Sequence, residues 1–395
     1  MSVEYEERYL EFLPDSLIQD MLNSYYNNVV NPLRDRINNI RNFRNNIRNL
    51  LEDHGLLRTI DEIVTTEEIP TTAGVDGTYI IERTLSSDIV AVAAVAVEGL
   101  IPPRETRFWP TPRHRLWIYP LEHAERTPVG VRGLMLGMEV QLASVAPHRV
   151  VMLDGSFTTF LIAFGQVMNS IGGEEGLLPQ RLTEVLIDNM ESYLRSYLEI
   201  LKSERTDKNY IALPKYSSRR EVSEYIQREL EYNIRMNDKA LLSLILRPGE
   251  MVGPLRLTRQ EDRWHLTLGN YFGSEDYPNN SLFNRLREKI LENINDLHVM
   301  YVRVNQANPV LRVELPKFVA SNNARLARVL LALRYQASIT GILEPYPLYI
   351  ADTIVKQIWP AIGSLKDTAL TQLAEDPDIS DVIISLNEYR TEGGF

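Results

Sequence analysis

Apolar residues along this chain follow two rhythms. Between about residues 15 and 52, Val29, Leu33, Ile37, Ile40, Ile47 and Leu51 recur at three- and four-residue steps with Arg and Asn between them. That spacing predicts one long amphipathic helix, broken in composition only by Pro32. Such a stripe has to be covered, either by the rest of the chain or by another chain as a short coiled coil. The arginines between read as a solvated face in preference to a grip on DNA.

Beyond the polar boundary TTEEIPTT (65–72) the rhythm shortens. GVDGTYIIERTL and DIVAVAAVAVEGL read as three strands joined by turns. IPPRETRFWPTPRHRLWIYP (101–120) has no clear period and reads as a Pro-rich excursion carrying Arg, Trp109 and Trp117. Such a segment either packs as a surface loop or offers stacking beside phosphate contacts. Residues 130–146 predict a helix that stops before Pro147, and HRVVMLDGS predicts a central strand apolar on both faces. Residues 178–203 form a strongly amphipathic helix, followed by the short strand of NYIALPKYSSRR and its basic, hydroxyl-rich loop. DKALLSLILRPGEM then predicts a helix ending at Pro248-Gly249, RWHLTLGNYF a strand, and VMYVRVN and VLRVELP two more. Residues 322–337 predict a helix, and TGILEPYPLYIADTIVKQIWPAI a turn feeding the last one. The expected organisation is an N-terminal helical extension (1–65), one α/β domain (66–375) and an acidic tail (376–395) ending in a poorly ordered TEGGF.

Composition narrows the chemistry. The 395 residues are 44% apolar and 24% charged, as in ordinary globular proteins, and no apolar run reaches the roughly 18 residues of a membrane span. The acidic start MSVEYEERYLEF lacks the order of a secretory signal, so a cytoplasmic protein with no membrane contact is expected. Cysteine is absent, which removes disulfides, thiolate nucleophiles and Cys-based zinc sites. The six histidines show no HxH or HExxH spacing, leaving carboxylates with Mg²⁺ or Mn²⁺ as the metal option. A net charge of −11 argues against coating nucleic acid, though Arg34 to Arg48, Arg104 to Arg115, or Lys215 with Arg219 and Arg220 could line a local channel.

The candidate chemistry lies in acids. Two apolar runs break at the same signal, TTAGV into Asp76-Gly77-Thr78 and HRVVML into Asp154-Gly155-Ser156, with Glu139 in the helix between. Asp-Gly also favours hairpin turns, so the triplets could arise without function. Their position at the ends of long apolar runs weighs the other way. Asp76 on an edge-forming first strand, Glu139 one helix inward and Asp154 at the end of the next central strand would meet at one side of the sheet. There they could hold two divalent ions about 4 Å apart, as phosphodiester cleavage requires. Strand meander, helix, strand, helix, strand is the order of an RNase H-like mixed sheet flanked by helices. Gly77 and Gly155 are expected to admit backbone and phosphate. Lys215, at the end of a strand, either neutralises a phosphate or is a solvated loop lysine. An actin-like or sugar-kinase-like fold also uses such turns, but no Gly-rich adenosine site follows, and no GxxxxGK[ST] motor motif occurs.

Gly74-Val75-Asp76-Gly77-Thr78, Met138-Glu139, Met152-Leu153-Asp154-Gly155-Ser156, Asp238 with Leu241-Leu242 before Arg247-Pro248-Gly249-Glu250, Leu311-Arg312-Val313-Glu314-Leu315-Pro316 and Tyr346-Pro347-Leu348 form an ordered set from about residue 70 to 360. In that order they resemble the NurA nuclease family. The resemblance implies an RNase H-like fold, Mn²⁺-dependent single-strand endonuclease and 5′ to 3′ exonuclease activity, and a homodimer docked on a HerA-type hexameric ATPase that pumps DNA. It implies metal-binding roles for Asp76, Glu139 and Asp154, and a task for the N-terminal stripe in dimer or ATPase contact. DNA end processing, repair or defence against foreign DNA is the setting it suggests. The family's closing motif places a Tyr, then Tyr-Pro-Leu, then a His; here Glu344, Tyr346-Pro347-Leu348 and Asp352 take those positions, and no histidine follows His298. Asp352 then becomes a fourth catalytic carboxylate, or the loss marks a degenerate nuclease kept as a scaffold. Lys215, Arg219 and Tyr346 are the candidate substrate contacts, although a tyrosine so placed is more often a packing residue. Asp238 is expected to cap a helix.

Overall fold

A computed structural model describes residues 13–65, 68–100, 107–171, 177–203, 205–215, 219–231, 234, 236–257 and 264–373. The expected acidic tail, Arg104, Ser217 and Ser218 lie outside the described residues. The chain divides into two compact units, one from residues 1–57 with 218–246, the other from 58–217 with 247–395.

In the first unit, α1 (Asp15–Tyr25) runs through a π turn (Tyr26–Val30) into α2 (Asn31–Asp53). The wider turn falls just before Pro32, where a regular ladder would lack a donor. Only the C-terminal half of the stripe is covered: Ile40, Ile47 and Leu51 are buried, whereas Val29 and Leu33 are exposed. Arg44 and Arg48 donate to the Ile245 carbonyl, the last residue of a short helix at Asp238–Ile245, so these two arginines close a helix end. Asp238 accepts from the Val222 and Ser223 amides and caps the helix Glu221–Leu230.

The second unit is built on a nine-stranded mixed sheet of order β1-β7-β8-β9-β6-β5-β2-β3-β4. Its strands are β1 (Leu57–Thr59), β2 (Thr72–Arg83), β3 (Asp88–Glu98), β4 (Arg113–Leu121), β5 (Val150–Asp154), β6 (Asn209–Leu213), β7 (Glu250–Arg256), β8 (His298–Val302) and β9 (Leu311–Leu315). β2, β5 and β6 are parallel neighbours, while β2-β3-β4 and β6-β9-β8-β7 run antiparallel. Helix α3 (Thr127–Val145) lies against β2 and β3 and packs on α4 (Phe157–Ser170) and α5 (Gln180–Leu201). Helix α6 (Asn323–Gln336) joins the core of β5, β6, β8 and β9, and α7 (Tyr346–Lys356) lies on β2 and β3. The fold is thus α/β with an RNase H-like mixed sheet flanked by helices and a long N-terminal helical segment.

Three local expectations are corrected. The first meander has two long strands before β4, because Asp76-Gly77 continues through β2 instead of turning, and β2 lies inside the sheet between β5 and β3. β4 falls in the segment that showed no period. As the last strand it is exposed on both faces, so no alternation was imposed on it. RWHLTLGNYF alternates in burial at Leu266 and Leu268 but pairs with no strand; the ladder is made instead by β7, just after Pro248-Gly249.

Candidate metal centre

The centre forms where β2, β5, α3 and α7 come together. A Cβ at Gly74 would lie 2.5 Å from the Pro347 carbonyl carbon and 2.6 Å from the Leu348 amide nitrogen. The first turn of α7 therefore rests directly on the β2 backbone, which explains why GVDG and YPL matter to each other. One and a half turns later Asp352 faces the strand ends. Parallel pairing of Val75 with Leu153 sets Asp76 and Asp154, the next residue of each strand, at one level. Oxygens of Asp76, Asp154 and Asp352 all lie within 4.8 Å of one another.

Glu139 reaches the same place from α3. A Cβ at Gly77 would lie 2.5 Å from Glu139 Oε1 and 2.9 Å from Met135 Cγ. The missing side chain of Gly77 therefore makes room for the glutamate, not for the substrate access expected from the sequence. Gly155 behaves differently. Its φ of +85° is in the left-handed region, and it turns the chain from β5 into α4 with open space around it. Ser156 then caps α4, accepting from the Thr158 amide. Glu314 fixes this turn, accepting from Ser156 Oγ at 2.7 Å and from the Phe157 amide at 3.1 Å. Arg312 in turn pairs with Glu314 at 3.4 Å and donates to the Tyr301 hydroxyl. The RVELP motif is therefore the buried support of the Asp154 turn.

Lys215, just beyond β6, supplies the positive charge. Its Nζ lies 2.9 Å from Asp352 Oδ1, 3.1 Å from Asp154 Oδ2 and 3.4 Å from Glu344 Oε2. Lys356 Nζ lies 2.6 Å from Asp352 Oδ2, an i,i+4 pair on α7. Three carboxylates, Asp154, Glu344 and Asp352, thus lie against two ammonium groups, with Asp76 close to two of the three.

The electrostatics follow from that imbalance. Burial, and then the Asp154 charge, push the Asp76 carboxyl up to about 7 from 3.8. Burial with the charges of Asp76 and Asp154 raises Glu139 well above the usual carboxylate range. Glu344 is raised by burial in spite of Lys215. Burial would also raise Asp352, but hydrogen bonds from Lys356 and Lys215 outweigh it and hold that carboxyl below its ordinary value. On Lys215 burial works against the charge, but Asp352 and Asp154 raise its pKa overall.

A family model described as the NurA domain matches residues 70–357. This chain belongs to the NurA domain family. Among solved structures, the NurA nuclease from Sulfolobus solfataricus aligns with a TM-score of 0.54 and 14% identity over 88% of this chain and 98% of that one. NurA with manganese aligns at 0.50 and 13% identity, covering 90% of this chain and 99% of its own. NurA bound to dAMP and manganese aligns at 0.50 and 14% identity, covering 84% and 92%. At such identity these structures show a shared fold. No curated protein matches the chain.

Within that NurA domain the structure brings Asp76, Asp154, Asp352 and Lys215 together, with Glu139 packed against Gly77 beside them. Tyr346 is half-buried at the start of α7. Arg219 belongs to the helical unit, where its Nε lies 3.9 Å from Glu221. Trp109 is buried edge-on against His148, so only Trp117 of the two tryptophans is near solvent, stacked on Tyr119. Sequence reasoning missed Glu344 and Glu314 as members or supports of the centre. Glu344 was visible two residues before Tyr-Pro-Leu, and Glu314 inside RVELP, but neither spacing reveals which acids converge in space.

The donors suit a hard divalent cation: all are carboxylate oxygens, and none of the described histidines joins the cluster. Glu139 is 2% exposed, and among the described residues its carboxylate makes no hydrogen bond or ion pair. A buried carboxylate with no partner is costly unless it is protonated or meets a cation.

Proposed function

We propose that this chain is a divalent-cation-dependent deoxyribonuclease that hydrolyses phosphodiester bonds of DNA. The observation that carries the proposal is the convergence of Asp76, Asp154 and Asp352 within 4.8 Å, with the buried Glu139, unpartnered among the described residues, nearby. Mn²⁺ or Mg²⁺ held there by Asp76, Glu139 and Asp154 would polarise the scissile phosphate and provide a water acidic enough to attack at neutral pH. Asp352 is the fourth acid of the centre and keeps Lys215 in place. Lys215 presents a fixed positive charge toward the phosphate, and Arg219 and Tyr346 are assigned to further substrate contacts. Related NurA structures, one with manganese and one bound to dAMP and manganese, support both the cation and the nucleotide.

The finer activity proposed is single-strand endonuclease and 5′ to 3′ exonuclease action in DNA end processing, repair or anti-phage defence. The chain would act as a homodimer with a HerA-type DNA-translocating hexameric ATPase. The apolar residues left exposed on α1, the π turn and α2, Leu17, Met21, Tyr25, Val29 and Leu33, support a role for the N-terminal segment in such contacts. The proposed division is an extension over 1–65, a nuclease domain over 66–375 and a tail over 376–395. The decisive experiment incubates labelled single-stranded DNA with the purified protein and Mn²⁺, Mg²⁺ or EDTA, beside Asp76→Ala and Asp154→Ala. Cleavage with either cation and its loss in EDTA and in both variants is expected. A wild type inactive alone and with its ATPase would leave a degenerate scaffold instead.

A further inference from the structure

We propose that the Lys215 ammonium occupies the position a second divalent ion would otherwise take, so that the centre binds one divalent ion beside a built-in monovalent charge. The inference deepens the nuclease reading and rests on it for the identity of the centre. It differs from the two-ion arrangement expected from the carboxylate layout alone.

The acids of the centre divide into two sets. On one side Asp352, Glu344 and Asp154 face a single Nζ at 2.9, 3.4 and 3.1 Å, each acid from a different segment of the chain. Asp352 is further neutralised by Lys356 at 2.6 Å. On the other side Asp76 meets only the Gly77 amide, at 2.8 Å, and Glu139 has no partner among the described residues. Positive charge is therefore in direct contact with one half, whereas Lys215 acts on Asp76 and Arg132 on Glu139 only at longer range. The uncompensated demand lies at Asp76 and Glu139, where one divalent ion would share Asp154 with the lysine and meet two acids that no ammonium touches.

Distance separates the alternatives on the lysine side. Oxygen ligands to ions of the Mg²⁺ size close to about 2.1 Å. Spacings of 2.9 to 3.4 Å to Nζ are those of an ammonium held in ion pairs. A second ion at that point would have to draw the carboxylates in by about 1 Å and expel an ammonium charge from among three acids. Lysine suits the role: it is a compact point charge on a stem long enough to reach from the end of β6.

Manganese stoichiometry tests the idea without DNA. Free Mn²⁺ is titrated by electron paramagnetic resonance into the full chain and into Lys215→Met, which keeps the stem and removes the charge. The expected result is about one tightly bound ion in wild type and about two in the variant. Manganese-edge anomalous diffraction from wild-type crystals gives the same answer even if the variant does not fold. One peak beside Asp76, Glu139 and Asp154, with Lys215 still against Asp352, supports the inference. Two ions in wild type, or one ion in a folded Lys215→Met, would overturn it. The nuclease reading fails separately: one bound ion without cleavage rejects that reading and leaves the lysine assignment, while two ions with cleavage do the reverse. No bound ion rejects both.

Discussion

Replacing Asp76 with asparagine should stabilise the cation-free protein at neutral pH while it destroys the cation site. The carboxyl titrates at about 7 in the folded protein against 3.8 ordinarily, because it is buried beside Asp154. A shift of about 3 units corresponds to roughly 4 kcal/mol. Between about pH 4 and pH 7 the unfolded chain has given up the Asp76 proton while the folded chain retains it. The unfolded state binds fewer protons there, so stability falls as pH rises through the window and changes no further above or below it. Comparing about pH 5 with about pH 8 spans two-thirds of the window, or about 3 kcal/mol. At about 2.1 cal/mol/K per residue, the domain covering residues 70–357 unfolds with an entropy near 0.6 kcal/mol/K, which makes the difference about 5 °C in Tm. Asparagine is close to isosteric and does not titrate. Scanning calorimetry in EDTA at the two pH values should show a fall in Tm about 5 °C larger for wild type than for Asp76→Asn. Parallel falls in the two proteins would refute the assignment of a strained, protonated acid at this position.

Gly74→Ala forces a Cβ into the Pro347 backbone at 2.5 Å, where neither element can move without shifting α7; a loss of about 1–3 kcal/mol in denaturant unfolding is expected, with cleavage falling as Asp352 is displaced. Gly77→Ala meets a side chain, Glu139 Oε1 at 2.5 Å, so it should weaken Mn²⁺ binding in titration calorimetry more than it lowers stability. Glu314→Gln exchanges an acceptor of two donors, Ser156 Oγ and the Phe157 amide, for a carboxamide that also brings donors of its own; about 1–3 kcal/mol of stability and much of the activity should go together, measured by urea unfolding and by DNA cleavage.

The parts of this molecule legible in its sequence are those where burial imposes a period or a motif carries a steric demand. β5 and β6 carry the buried runs Val150 to Leu153 and Tyr210 to Leu213 because they lie inside the sheet, and α5 repeats its buried Leu182, Leu186, Met190, Tyr193 and Tyr197 at helical steps. The two Asp-Gly pairs drew attention to carboxylates that the fold places together, but Gly77 makes room for Glu139 and not for the approach of a phosphate expected of it. β4 was hidden because an edge strand exposed on both faces has no alternation to read. The reach of Lys215 across to Asp352 was also hidden, because it joins residues 137 positions apart through tertiary packing alone. Glu344 stood in view beside Tyr-Pro-Leu, yet only the fold shows that it faces the same ammonium as Asp154 and Asp352.

Glu139 separates an active centre from a degenerate scaffold. Glu139 is 2% exposed and has no partner among the described residues, and a Cβ at position 77 would press on that carboxylate at 2.5 Å. A fold kept only for docking would gain stability from an apolar residue at 139, since an unpartnered buried acid costs several kcal/mol or must stay protonated. Such an acid is useful only if a cation relieves it. Adding Mn²⁺ at about 100 times its Kd should therefore stabilise the wild type by about 2.7 kcal/mol. With the unfolding entropy used above, that is a rise of about 4 °C in Tm by calorimetry. Glu139→Gln should start from a Tm in EDTA no lower than wild type and lose most of the rise. A scaffold that holds no ion predicts no rise in either protein, and that outcome would remove the physical basis of the nuclease proposal.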